Sequence, residues 1–139
     1  MPLNLKIITP DRILLEQEVD EVSATAVDGE FAVLPNHEPL VSALALDVLR
    51  FKANNTEGAV AVLGGILEVS DNNVTVLSDA AELGTEIDEA RARQAEARAQ
   101  AEKTQRTDKL EVYVTEMALA RAMARLKALN MAKRYKPGR

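Results

Sequence analysis

The chain has 139 residues and a net charge of −5, with 47% apolar and 28% charged residues, enough for one domain or a small domain plus an appendage, and apolar enough to pack a core. It has no cysteine, no tryptophan and one histidine, which excludes disulfides, zinc-thiolate sites, cysteine nucleophiles and His-rich metal sites, and leaves a hydrolytic triad only His37. No apolar run approaches the ~20 residues that span a bilayer, and the start lacks the charged and apolar blocks of a signal peptide, so a soluble protein inside the cell is expected.

Leu3 to Ile8 is a short apolar run closed by Thr9-Pro10-Asp11, which reads as a strand and a turn. Val19 to Val27 is the next extended run. Asp28-Gly29 is a turn signal, and Glu30 to Leu34 resumes the pattern. Val48 to Lys52 alternates apolar and charged residues, as a half-buried strand does. Asn54-Asn55 and Gly58 suit a turn. Ala59 to Leu63 then runs to Gly64-Gly65, where a break is expected before Ile66 to Val69. Asp71-Asn72-Asn73 is a further turn and Val74 to Leu77 a further strand. Many short strands with regular turns predict a sandwich or barrel. Without room for helical crossovers, its pairing should be mainly antiparallel.

The pattern changes at Gly84. From Thr85 to Lys136 there is neither glycine nor proline. Thr85-Glu86-Ile87-Asp88 fits a capping box, and the run to about Lys103 is rich in Ala, Glu, Gln and Arg. That predicts a helix of about 18 residues, ~27 Å long. Glu89 and Arg93 stand i,i+4 in the favourable order. Thr104 to Thr107 are weaker helix formers and the expected hairpin turn. Asp108 should cap a second helix, with Leu110, Val114, Met117, Ala124 and Met131 near helical spacing and Pro137-Gly138 closing the chain. The first helix offers mostly alanine, which buries little area, so the hairpin should be marginal alone and dock on the sheet domain or on a partner. Charge divides at the same boundary. Residues 1–85 carry four Lys/Arg against 14 Asp/Glu, a net of −10; residues 86–139 carry 13 against eight, a net of +5. The expected division is therefore a sheet domain over 1–84 and a helical hairpin over 85–139.

Several segments together resemble the epsilon subunit family of F-type ATP synthases. They are Asp28 to Leu44 (DGEFAVLPNHEPLVSAL), Leu63 to Val69 (LGGILEV), Asn73 to Leu77 (NVTVL) and Ile87 to Ala92 (IDEARA), the last matching an I/L-D-x-x-R-A element. They fall in family order along the whole chain. Ala32 departs from the usual glycine, a small-for-small change. The resemblance implies an N-terminal ten-stranded antiparallel β-sandwich followed by a C-terminal two-helix antiparallel hairpin. It implies a non-catalytic subunit of the rotor stalk, whose sandwich binds the gamma subunit and the ring of c subunits and couples proton flow to rotation. The hairpin would lie folded on the sandwich or extend into the alpha/beta catalytic head and block ATP hydrolysis. The isolated chain would be a monomer. In the cell it would sit on the cytoplasmic (or stromal) face of an energy-transducing membrane, held there through the complex. The ring and gamma contact would involve Glu30 and the Pro35-Asn36-His37 turn. No cofactor is required, but the resemblance implies ATP as a regulatory ligand, bound at Glu82, Asp88, Arg91, Ala92, Arg98, Arg121 and Arg125.

Spacing bears on that set. Arg91 and Arg98 are seven apart and Arg121 and Arg125 four apart, so each pair shares a helix face, and two such faces in a hairpin could converge on phosphates. The plainer reading of Asp88 and Arg91 is a capping carboxylate beside a solvated arginine. No glycine-rich phosphate loop is present, so an NTPase site is not expected. His37, between Pro35 and Pro39, reads as a turn histidine bonded to backbone or as an interface residue; catalysis would need a nucleophile and an orienting group that its context lacks. Nucleic-acid binding is disfavoured: the hairpin's basic residues are mixed with acids, only Tyr113 and Tyr135 could stack, and the acidic sandwich repels phosphates. A free-standing ATP-sensing protein with no rotor role is the alternative reading.

Overall fold

The computed structural model describes residues 2–103 and 108–134. Eight strands come first: β1 (Leu3–Thr9), β2 (Arg12–Val19), β3 (Glu21–Ala26), β4 (Gly29–Val33), β5 (Leu40–Ala53), β6 (Thr56–Ser70), β7 (Asn73–Leu77) and β8 (Ala81–Leu83). A 3-10 turn over Gly84–Glu86 leads to α1 (Glu89–Lys103) and then α2 (Lys109–Arg134). The strands pair in the order β2-β1-β7-β6-β5-β3-β4, with β8 on β6. All pairs are antiparallel except β1 with β7.

The ten strands expected and the eight observed differ by two bends. β5 and β6 are long, and each serves both layers. Residues 40–44 of β5 pair with 65–69 of β6 in the layer that holds β1, β2 and β7. Residues 46–53 of β5 and 56–63 of β6 belong with β3, β4 and β8. Counting each half separately restores ten. The expected break at Gly64-Gly65 is thus a bend within one strand. Gly65 has φ +127°, and a Cβ there would stand 2.2 Å from the Leu77 carbonyl oxygen, so only glycine lets β6 turn the corner against β7.

Alternation sorts the sandwich core. Leu3, Leu5 and Ile7 of β1, Leu49 of β5, Val60 and Val62 of β6 and Val74 and Val76 of β7 are fully buried in one cluster. The intervening residues of β5 and β6 face the other way and are covered too. Val48, Ala59 and Ala61 pack in a second cluster with Ile87, Ala92, Leu126, Ala128 and Leu129. A strand buried on both faces reads as a continuous apolar run, which explains the stretch Ala59 to Leu63. Alanines on the outer face let α2 approach the sheet closely. The hairpin therefore docks on the sandwich, as its alanine-rich seam led us to expect.

Three local readings are corrected. Thr85 lies in the 3-10 turn, and Asp88 itself caps α1 by accepting the Arg91 N–H at 3.1 Å, so the capping box is absent and α1 has 15 residues. The buried residues of α2 are Thr115, Leu119, Ala122, Ala124, Leu126, Ala128 and Leu129; of the residues read at helical spacing Ala124 is therefore buried, whereas Leu110 and Val114 are exposed. The helix buries the face that meets α1 and the β5–β6 surface, and Leu110 and Val114 lie off that face. The strand Arg12–Val19 and residues 40–47 of β5 carry too irregular an alternation to be recognised, because each contains residues where pairing shifts or the strand bends. Asp108 does cap α2, its Oδ1 accepting the Leu110 N–H at 2.8 Å. The expected turn at 104–107 and the Pro137-Gly138 end lie outside the described residues.

Candidate functional site

A cleft of about 270 Å³ opens where β8, the 3-10 turn, α1 and α2 meet, lined by Glu82, Glu86, Ile87, Asp88, Arg91, Ala92, Ala95 and Arg125. β8 presents Glu82. The turn presents Glu86, and Asp88 stands at the α1 N-terminus. The 3.6-residue period puts Arg91, Ala92 and Ala95 on the α1 face turned to the cleft. α2 supplies Arg125, whose Nε donates to Glu82 Oε1 at 2.6 Å. Glu86 is engaged from outside by Arg12, Nη2 to Oε2 3.0 Å. The first-turn N–H groups of α1 that Asp88 does not take, together with the helix dipole, add partial positive charge at this mouth.

Five of the seven residues expected to bind nucleotide converge here: Glu82, Asp88, Arg91, Ala92 and Arg125. Arg98 and Arg121 do not line the cleft; both are exposed, two turns along α1 and one turn back along α2. Chemically the cleft offers two guanidinium groups for anionic oxygens and carboxylates for amine or hydroxyl donors. Arg125 spends its Nε on Glu82 and keeps its Nη donors for an anion. Glu86, Ile87 and Ala95 are not among the residues expected to bind nucleotide, although Ala95 is four residues from Arg91 and shares its face.

Glu30 and the Pro35-Asn36-His37 turn are not brought together. Glu30 is beside the β3–β4 hairpin tip, where Ala26 pairs with Gly29. Pro35 follows the other end of β4, about 17 Å away at ~3.4 Å per residue. At that far end Asn36, with φ 69°, donates its N–H to Asn72 Oδ1 at 2.6 Å and so ties the turn to the β6–β7 turn. His37 Nδ1 lies 2.6 Å from the Glu38 carbonyl oxygen, so it donates a proton there. That is the backbone-bonded turn histidine.

The sequence reading missed the outer face of the β1/β2/β7 layer. Cross-strand pairing aligns Ala43, Ile66, Leu77, Ile8 and Ile13 in one outward row. Val27, whose N–H donates to Ala43 O, adjoins its end. Ile66 is 48% exposed, Leu77 52%, Ile13 53% and Val27 74%. Five strands at ~4.8 Å spacing make this apolar band about 20 Å long. Such a band on a monomer marks an interaction surface. The available signal was an apolar residue at the outward parity of three successive strands.

Among the described residues no group of His, Asp and Glu could hold a metal, and no helix is long and apolar enough to cross a membrane. Residues 2–84 match the family described as ATP synthase, Delta/Epsilon chain, beta-sandwich domain. Residues 85–130 match the ATP synthase, Delta/Epsilon chain, long alpha-helix domain. The chain is 46% identical over 130 residues to the ATP synthase epsilon chain of Nitratidesulfovibrio vulgaris, covering 94% of this chain and 97% of that one. It is 40% identical over 131 residues to the ATP synthase epsilon chain of Herpetosiphon aurantiacus, with coverage of 94% and 96%. A solved chain from the Euglena gracilis mitochondrial ATP synthase, in an assembly of OSCP, F1 and c-ring, superposes with a TM-score of 0.80 at 25% identity, covering 92% of this chain and 81% of that one.

Proposed function

The chain belongs to the ATP synthase delta/epsilon family, and from that premise we propose that it is a non-catalytic central-stalk subunit that joins gamma to the c-ring and restrains ATP hydrolysis through its hairpin. The exposed apolar row from Ile13 to Ala43 carries the gamma contact: water-exposed Ile and Leu in a continuous band favour burial against a partner. Val27, Asp28 and Glu30 adjoin that band at the β3–β4 tip, which suits them to touch the polar loops of a ring beneath gamma. The Pro35-Asn36-His37 turn, tied down at the other end of β4, serves the sandwich first. The likeness to a chain of the Euglena F1/c-ring assembly supports a place in such an assembly. The complex holds the subunit at the membrane, on the side where the catalytic head lies.

ATP is proposed as a regulatory ligand of the folded hairpin. Support comes from the joining of Arg91 and Arg125 with Asp88 and Glu82 in one cleft shared by both helices and the sandwich. When bound, the nucleotide would bridge α1 and α2 through its phosphates. Arg91 and Arg125 would hold those oxygens, and Asp88 and Glu82 would accept from its polar donors.

The gamma contact is tested by tagging the chain and purifying it from cells that make the whole synthase. Wild-type chain should bring gamma with it. The Ile66→Glu/Leu77→Glu variant, whose side chains point outward, should fold normally yet lose at least tenfold in recovered gamma. Unchanged recovery would reject the apolar row as the docking face, and wild-type chain emerging alone would favour a free-standing sensor.

A further inference from the structure

The hairpin meets the sandwich through the apolar cluster around Val48, Ala59 and Ala61 and at the cleft, and two contacts outside the cleft bear on how it seats. The first is at Gly84. A Cβ on this residue would stand 2.6 Å from Ala128 O and 2.9 Å from Ala132 Cβ, both on α2, and 3.1 Å from Ala59 O on β6. Gly84 is not among the glycines with positive φ, so its backbone could be adopted by any residue. Space alone demands glycine there, and the space is taken up by α2. The second contact is Asp47 on β5. Its Oδ1 accepts the Val48 N–H at 2.7 Å and its Oδ2 the Thr25 hydroxyl at 2.9 Å, both from the sandwich. Lys127 of α2 then donates to Oδ1 at 2.8 Å. The carboxylate is thus oriented by the sheet before the helix arrives, and Lys127 is the one member of the set that leaves with α2.

We propose that Gly84 and the Asp47–Lys127 pair form a two-point latch, separate from the cleft, that sets how much of the time the hairpin rests on the sandwich. This rests on the reading that the hairpin moves between docked and free states. The notch at Gly84 lets the helix backbone seat at contact distance on the sheet. The Asp47 clamp fixes how far along the sheet it seats. Because the ion pair is partly open to solvent, salt screens it, and docking weakens as ionic strength rises. Steric and ionic points act on the same equilibrium, while neither contributes a side chain to the cleft.

The test uses the full chain, labelled for energy transfer at Glu68→Cys and Gln100→Cys, both exposed positions. The absence of native cysteine makes the labels specific. Docking is read without nucleotide, so the result does not depend on whether the cleft binds one. Gly84→Ala should lower the docked-to-free ratio about tenfold or more, as overpacking at a close contact does. Asp47→Asn and Lys127→Gln should each lower it about threefold at 0.1 M salt, and the double variant should lose no more than the worse single one. Far-UV circular dichroism should show an intact sandwich throughout. Unchanged transfer in Gly84→Ala, additive losses in the double variant, or a hairpin fully docked in every variant would overturn the latch. Collapse of the sandwich in Gly84→Ala would also overturn it, because the glycine would then serve sheet folding instead.

Discussion

Asp47 shows how one side chain's surroundings decide its charge. Burial disfavours its ionised form, but hydrogen bonds from Lys127, the Val48 amide and Thr25, with the Lys127 charge, outweigh it and hold the carboxyl below its usual 3.8. Glu89 is lowered likewise, first by the bond from Lys133 and then by Arg93. A carboxylate with a depressed folded value contributes stability above its unfolded value, and that contribution is lost as pH falls through the folded one. Docking should therefore be flat from pH 8 to about 5 and fall only below the ordinary carboxylate range near 4. In Asp47→Asn the acid step should shrink. A pH titration of hairpin docking that shows the same acid step in wild type and Asp47→Asn would remove Asp47 from this account.

Elements explain why Asp88 reads two ways. It is the N-cap of α1 by geometry and a candidate ligand group by position at the cleft mouth. The two roles separate with Asp88→Ser, since serine caps about as well as aspartate but brings no carboxylate. Stability should change by about 0.5 kcal/mol or less. Calorimetric ATP affinity, expected for wild type at millimolar ligand or below, should fall about tenfold, as for loss of a charge-assisted bond. Equal affinity in both chains would leave Asp88 as a cap alone, and no heat with wild type would remove ATP as a ligand. α2 teaches a related lesson. Its exposed Leu110, Tyr113, Val114 and Met123 satisfy helical periodicity as well as the residues it buries. Period identifies a helix, but when apolar residues occur on several faces only the neighbours decide which face is core.

At the scale of the whole molecule, an acidic sandwich carries a basic hairpin, and the complementary charge meets at Glu82–Arg125 and Asp47–Lys127. If the hairpin restrains hydrolysis, deleting it after Glu86, which preserves β8 and the turn, should keep the subunit in the synthase and raise ATP hydrolysis several-fold; equal rates in intact and truncated complexes would exclude the restraint. By itself the sequence determined the change of architecture at Gly84, because turn-formers, charge balance and helix propensity all shift there, and these are local quantities. It determined the family through motifs spread over the chain, and the helix faces that carry Arg91 and Arg125. Only the tertiary structure decided that β5 and β6 are continuous, which face of α2 is buried, and that Arg98 and Arg121 stand outside the cleft. It alone assembled Ile13, Ile8, Leu77, Ile66 and Ala43 into one band. The physical reason is common to these: each depends on strand pairing or helix docking between residues far apart in the chain, and periodicity within a segment shows that a face exists without showing what it meets.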